Sequence, residues 1–384
     1  MNELNISIKN PYNGEETAPI FDSDAEREFY YTQSLGCPVP VNLHICRCKD
    51  ESAKLGYKWL TYPCQCYPIF DNEEFKAYTD DINVALANYE KNVKVLNNNL
   101  IHKDFSLCKD CHLYKQHIED KAKFPPAHFV LMQYGYYGKL LYQSYKNKEL
   151  NEEVKKYPYG INLSLDSACN LRCPTCRTND YHLTDISEED LNILYEYVKN
   201  IRSLSIGCDG EFFLSKAYTD FLKRDFSNSK LEEIILYTNG TLCNKTNWEK
   251  INPKNVDLIK EIKISIDAAC EETYKKVRSQ TLWNTLLNNI KNLHNMISPN
   301  CMLTTTFTIS SYNYKDIMDF TPFAKNLGFK RITYSFARTN LHGEGDSGYI
   351  IKDKDTINQI VEIIKMQQSK FNDYDNDTFY VNLS

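Results

Sequence analysis

From about residue 160 the chain alternates short β-type runs with amphipathic helical stretches, and this rhythm constrains the fold more than any other feature of the sequence. The runs are 161–165 (INLSL), 202–207 (RSLSIG), 233–238 (EIILYT), 261–267 (EIKISID), 302–309 (MLTTTFTI) and 331–336 (RITYSF), each β-branched or aromatic and followed by polar or turn residues. The helical stretches are 188–200, 216–227, roughly 272–296, 313–327 and 354–369. Tyr218, Phe221 and Leu222 in the second, and Ile357, Ile360, Val361 and Ile364 in the fifth, fall on one helical face. Strand-then-helix units in series give a parallel sheet, and right-handed crossovers curl it toward a barrel. The expected fold is α/β: a partial (β/α)6 TIM-like barrel over residues 156–384, closing about three quarters of the circle.

Residues 1–155 lack this rhythm and read as a cysteine-rich accessory domain. They hold seven of the fourteen cysteines (Cys37, Cys46, Cys48, Cys64, Cys66, Cys108 and Cys111) in loop-like pairs, with one helical stretch near 72–97 and a Tyr-rich connection at 131–145. The N-terminal segment MNELNISIKN has neither a basic nor an apolar signal region, and no apolar run approaches the roughly 18 residues of a membrane span. A cytoplasmic protein is expected. There a reducing environment disfavours disulfides, so this many cysteines point to metal or cluster ligation. The net charge of −6 offers no electrostatic footprint for a nucleic acid.

The central group, Cys169-Asn-Leu-Arg-Cys173-Pro-Thr-Cys176, follows the first barrel strand through Asp166, Ser167 and Ala168. That places it at the C-terminal mouth of a parallel barrel, where βα loops build active sites. Three thiolates within eight residues can hold three corners of an iron–sulfur cubane. As in catalytic zinc sites, an incomplete protein ligand set leaves a position open for chemistry. The competing reading is a zinc knuckle completed by a residue such as His182.

C-x3-C-x2-C after a first strand resembles the signature of the radical S-adenosylmethionine superfamily, and CNLRCPTC is similar to members with auxiliary clusters in SPASM or twitch domains. Further motifs follow in the family's order. Gly210-Glu211 resembles the "GE" motif that binds the amino group of the cofactor, and Thr238-Asn239-Gly240 a common T-N-G turn. Ser265-Ile266-Asp267 resembles an S-x-D pattern whose Ser touches the cofactor, Arg278 the Arg that pairs with the methionine carboxylate, and Asn313 an Asn that begins the fifth helix. One departure is Thr175, where the family often has an aromatic residue against adenine; Tyr181 or backbone after the fifth strand would have to serve instead. The resemblance implies a [4Fe-4S] cluster on Cys169, Cys173 and Cys176 that binds S-adenosylmethionine, its reductive cleavage to a 5′-deoxyadenosyl radical, and a flavodoxin- or ferredoxin-type reductant.

By the same resemblance the N-terminal cysteines form an auxiliary [4Fe-4S] module, with Cys64, Cys66, Cys108 and Cys111 as ligands and Cys37, Cys46 and Cys48 as alternatives. No cysteine follows Cys301, so the family's usual C-terminal auxiliary run is missing. Two other readings stand beside this one: Cys108-Lys-Asp-Cys111-His112 matches a haem attachment pattern, and with His117 the same residues could hold zinc. Cys208, Cys243 and Cys270 fall at the mouth ends of strands and are candidate hydrogen donors to a substrate radical; otherwise they are small buried hydrophobes. Cys301 begins the fifth strand at the opposite end, and Arg338 at the end of the sixth faces the mouth as a candidate anion ligand. The expected activity is oxidation, epimerisation or cross-linking of a small metabolite, sugar or peptide. An RNA-modifying member of the same superfamily and a non-catalytic zinc-binding interaction protein are the alternatives.

Overall fold

The computed structural model describes residues 42–62, 77–102, 140–141, 143–144, 147–176, 185–278, 282–337, 347–371 and 380–383. Along the chain run β1 (Asn42–Lys49), β2 (Tyr57–Tyr62), β3 (Ala77–Thr79), α1 (Ile82–Ile101), α2 (Glu152–Lys156), β4 (Gly160–Ser164), α3 (Glu188–Val198) and β5 (Ser203–Ile206). They continue as α4 (Lys216–Leu222), β6 (Glu233–Thr238), α5 (Lys245–Trp248), β7 (Ile259–Ser265), α6 (Glu271–Arg278) and α7 (Trp283–Leu293). The last elements are β8 (Met302–Ile309), α8 (Ile317–Asn326), β9 (Arg331–Phe336), α9 (Lys354–Phe371) and β10 (Tyr380–Leu383). The class is α/β, with a mostly parallel strand set in a partial TIM-like barrel, as the sequence rhythm predicts.

Two compact units divide these residues. One takes the described residues up to Leu163 with Ser187–Leu204 and Ser229–Leu231; the other takes the described parts of Ser164–Ile186, Ser205–Asn228 and Glu232 onward.

In the first unit β1, β2 and β3 form an antiparallel meander, with Cys46 opposite Leu60 and Trp59 opposite Thr79. Tyr57, Trp59 and Thr61 alternate inward along β2, and Trp59 is completely buried. The Thr61 hydroxyl donates to the Ala85 carbonyl of α1 at 3.0 Å, and the Tyr57 hydroxyl to Asp190 of α3 at 2.7 Å. Ser187 caps α3 by accepting from the Asp190 N–H, and Glu188, Glu189 and Asp190 complement the positive end of its dipole.

In the second unit β6, β7, β8, β9 and β10 pair in parallel, each with the next. Ile262, Ile264, Leu303, Phe307, Ile332 and Tyr334 form the buried, helix-facing side of the strands. Phe307 meets Phe320 of α8 at 4.7 Å between ring centroids, and the Tyr334 hydroxyl bonds to Thr321 at 2.8 Å. Helix α4 stops at Leu222, short of the expected 227, because the Asn255 amide takes the carbonyls of Leu222 and Arg224. The stretch expected as one helix over 272–296 is two helices, α6 and α7. Gly328 closes α8 at φ +87°, where an added Cβ would strike the His294 ring.

One expectation needs correction. Cys46 and Cys48, read as a loop-like pair, stand on β1, whose backbone is committed to β2. The helix expected from 72 begins at Ile82, with β3 before it. Among the described residues no helix is long and apolar enough to cross a membrane.

Candidate functional site

The site is built from four loops of the second unit. Beyond β4 the chain turns through Asp166, Ser167 and Ala168 into the cysteine loop. Two contacts fix that turn against the loop after β5. The Glu211 N–H donates to the Ala168 carbonyl at 2.7 Å. The Tyr218 hydroxyl, fully buried at the start of α4, accepts from Leu165 N–H at 3.1 Å and lies within hydrogen-bond reach of the carbonyls of Asp166 (3.1 Å) and Asp209 (2.9 Å). Gly210 makes this approach possible. Its φ is +71°, and a Cβ there would lie 2.6 Å from the Ala168 oxygen and 2.8 Å from that of Asp166.

Within the loop the Cys176 N–H donates to the Cys173 carbonyl at 3.0 Å, closing a turn over Pro174 and Thr175. Arg172 spans the loop by donating to the carbonyls of Cys169 and Leu171. N–H groups then aim at sulfur: Leu171 N at 3.4 Å and Asn239 Nδ2 at 3.7 Å from Cys169 Sγ, and Arg278 Nη1 at 3.6 Å from Cys173 Sγ. Burial pushes the thiols of Cys169 and Cys173 up; the Leu171 N–H opposes this at the first and the Arg278 charge at the second.

Glu211 is completely buried and fastens the third loop. Its carboxylate accepts from the Thr238 hydroxyl at 2.6 Å, the Asn239 N–H at 2.7 Å and the Phe213 N–H at 3.3 Å. Burial raises its pKa, and these donors pull against the rise. The Asn239 side chain meanwhile donates to Asn170 and accepts from Thr241, and Asn170 donates to Thr241 in turn. The Asn289 amide closes the turn from below, donating to the carbonyls of Gly240 and Thr241.

The fourth loop follows β7. Asp267, at φ +62°, accepts from the Thr308 N–H at 2.8 Å and pairs with Arg278 at 2.8 Å, both side chains being buried. Burial opposes the Arg278 charge, but Asp267 and the Cys173 sulfur outweigh it and hold the guanidinium protonated. Asn313 is used internally: its amide donates to the carbonyls of Asp267 and Thr308 at 2.9 Å and accepts from the Ser310 N–H. Ser265 Oγ accepts from the Thr306 hydroxyl at 3.0 Å.

The sequence-predicted residues Cys169, Cys173, Cys176, Gly210, Glu211, Asn239 and Arg278 thus belong to one connected network. Ser265 and Asn313 flank it on β7 and after β8. Of the candidate hydrogen donors, Cys208 and Cys270 are exposed, whereas Cys243 is 1% exposed and sits 3.6 Å from the Thr238 hydroxyl. Cys37, Cys64, Cys66, Cys108, Cys111, His112, His117, Tyr181, His182 and Arg338 lie outside the described residues. Sequence reasoning missed Tyr218, Asn170 and Asn289. Only Asn289 left a signal, a polar residue on the apolar face of α7.

The donor set suits a thiolate-held cluster. Hydrogen bonds to the sulfurs are a means by which proteins tune iron–sulfur centres, and two of the three thiols receive them. The Tyr274 hydroxyl, buried and near Cys173, Asp267 and Glu211, has no hydrogen-bond partner among the described residues. Nor do any three His, Cys, Asp or Glu among them converge on one point as a single ion requires. A cubane asks for no such convergence, because each thiolate meets a different iron.

Residues 164–334 match the Radical SAM superfamily. A curated relative from Clostridium perfringens (strain SM101 / Type A), "GTP 3′,8-cyclase", is 29% identical over 222 residues, which are 56% of this chain and 64% of the relative. The protein of the same name from strain 13 is 28% identical over the same shares. The chain therefore spans a little under two thirds of the length of these curated relatives. Among solved structures, Streptococcus suis SuiB aligns with a TM-score of 0.44 and 13% identity, over 88% of this chain and 70% of that one.

Proposed function

We propose, from the match of residues 164–334 to the Radical SAM superfamily, that the chain reductively cleaves S-adenosylmethionine and abstracts a hydrogen atom from a small polar substrate. A [4Fe-4S] cluster and S-adenosylmethionine, when bound, supply the electron and the 5′-deoxyadenosyl radical that this chemistry needs. The observation that carries the reading is the convergence of N–H donors from the cysteine loop itself, the turn after β6 and the end of α6 on the sulfurs of Cys169 and Cys173.

The chain's own residues do the rest. Cys169, Cys173 and Cys176 hold the cluster. Leu171, Asn239 and Arg278 favour the thiolate form of their sulfurs by donating to them, as hydrogen bonds to an anion do. Asp267 pins Arg278 so that its guanidinium stays charged beside the site. Gly210 allows the loop after β5 to lie against the cysteine loop, and Glu211 locks that loop to the Thr238-Asn239-Gly240 turn. Ser265 keeps its own proton to donate, and Asn313 positions the end of β7. Cys208 and Cys270, being exposed, are the thiols able to meet a substrate radical.

A small molecule is favoured over a peptide by the curated relatives, whose name assigns them GTP. A flavodoxin- or ferredoxin-type protein supplies the electron. The auxiliary cluster is assigned to Cys64, Cys66, Cys108 and Cys111.

The test is anaerobic reconstitution followed by assay of dithionite-driven 5′-deoxyadenosine formation. Replacing Cys169, Cys173 and Cys176 together by Ala is expected to lower the rate at least ~1000-fold and to remove about four irons per chain. Survival of cleavage in that variant, or zinc without sulfide in the wild type, would overturn the reading.

A further inference from the structure

The parallel strands of the second unit have one apolar face and one that is not. A parallel sheet ordinarily has both faces covered, and a closed barrel fills its inside with bulky branched residues. Here the face opposite the helices carries Tyr237, Lys263, Thr306, Thr308, Arg331 and Thr333, all only partly buried.

Strand register sorts these side chains into rows. Lys263 stands opposite Thr304, and Thr304 opposite Arg331, so two cations flank a threonine across three strands. The next row, two residues nearer the cysteine loop, is Ser265, Thr306 and Thr333. The step between rows is about 6.6 Å. Beneath the first row Glu261, 2% exposed, accepts from the Thr304 hydroxyl at 2.7 Å and lies 3.7 Å from Lys263 Nζ and 4.0 Å from Arg331 Nη1. Lys263 also donates to the Tyr237 hydroxyl at 3.3 Å.

One buried carboxylate thus anchors two cations whose side chains are 26% and 31% exposed. The trio has a net charge of +1, counting two cations against one anion. Burial works against the Lys263 charge, while Tyr237 and Glu261 keep it protonated.

We propose that this inner face binds a phosphorylated, hydroxyl-bearing small molecule, its phosphate on Lys263 and Arg331 and its hydroxyl-bearing part along Ser265, Thr306 and Thr333 toward the cysteine loop. Lysine and arginine are the side chains that meet phosphate, the first as a point charge and the second as a fork. The hydroxyl row adds donors and acceptors between that anchor and the mouth. The proposal rests on the radical reading only in taking the molecule bound here as the substrate.

Inorganic pyrophosphate is the probe, titrated calorimetrically into the full chain at low salt. Wild type and the Cys169/Cys173/Cys176→Ala variant are expected to bind alike, within about threefold. Lys263→Met should weaken binding at least ~10-fold, and Lys263→Arg less than ~3-fold, because the charge is kept. Glu261→Gln combined with Lys263→Met removes both members of one ion pair, leaves Arg331 as the one cation, on a partly exposed side chain, and guards against misfolding. It should stay weak because a single cation cannot clamp the phosphate from two sides. No binding by the wild type, binding indifferent to Lys263→Met, or recovery in the double variant would overturn the proposal. Lys263-dependent binding without 5′-deoxyadenosine formation would sink the radical reading alone. The converse result would sink only this one.

Discussion

Cysteines occur in two very different settings in this chain. Cys46 and Cys48 stand on β1, opposite Leu60 and Lys58 of β2, with their backbone engaged in the antiparallel ladder. The Cys46 sulfur meets the Tyr62 hydroxyl at 3.8 Å. Cys169, Cys173 and Cys176 lie in a loop whose N–H groups are uncommitted to any ladder, and Leu171 turns its own toward a sulfur. Residues i and i+2 of a strand share a face at a fixed stride of about 6.6 Å, and the strand's N–H groups are spent on the ladder rather than turned toward sulfur. A loop has no such fixed stride. What separates the two settings is the commitment of the backbone rather than the density of cysteine.

The sharpest break of that contrast is a methyl group. Gly210→Ala places a Cβ against two backbone oxygens at φ +71°, so the loop after β5 must move off the cysteine loop. The expected cost is roughly 2–4 kcal/mol, seen as a lower melting temperature together with loss of iron from the triplet. Gly56, in the turn between β1 and β2, also has positive φ, +75°. Gly56→Ala should cost about 1–2 kcal/mol and leave the iron content unchanged. Equal iron loss in both variants would show that the cysteine loop has no special dependence on Gly210.

Legibility follows the same divide. The strands at 233–238, 302–309 and 331–336 appear residue for residue as the sequence predicts, because β-branched runs with turn residues behind them express locally what the fold requires. The order of the cysteine, Gly-Glu, T-N-G and Arg278 motifs also led to one network. β1 was hidden. Its buried positions take in His44 and Arg47 beside Leu43 and Ile45, while the two cysteines are half-buried, so no polar alternation marks NLHICRCK as a strand. Tyr218 was hidden for a different reason. It reads as an apolar helix residue, and its hydroxyl acquires a role only when the carbonyls of Asp166 and Asp209 are brought together. Arg278 is marked in the sequence only by its resemblance to a carboxylate-binding Arg; its ion pair with Asp267, eleven positions earlier, depends on the turn after β7 and leaves no sequence signal.

The meander should also be the more acid-sensitive of the two regions. His44 is buried, stacks on Tyr62 at 4.9 Å and lies against the Asn162 amide; desolvation lowers its pKa to about 3. A folded-state pKa below the unfolded value near 6.5 gives stability that is present above pH 6.5 and lost as pH falls toward 3. At pH 4.5 the loss is about 2.7 kcal/mol, from two pH units at 1.36 kcal/mol each. Hydrogen exchange of β1 and β2 amides at pH 7 and 4.5 reads it. His44→Gln, which cannot titrate, is expected to remove this part of the pH dependence. If both proteins lose protection equally, the acid response belongs to carboxylates elsewhere.

The smallest expected effect tests the comparison most directly. If backbone commitment decides which cysteines take up iron, Cys46→Ala with Cys48→Ala should leave iron and sulfide per chain unchanged, along with the rate of 5′-deoxyadenosine formation. Packing adds only a minor cost, since both thiols are partly exposed and each removed sulfur is a small hydrophobe, worth about 1 kcal/mol. A loss of about four irons from this double variant would mean that a strand-borne pair contributes to a cluster. The ladder of β1 with β2 would then have to open at Cys46 and Cys48, and hydrogen exchange there would be faster in the iron-loaded protein than in the iron-free one.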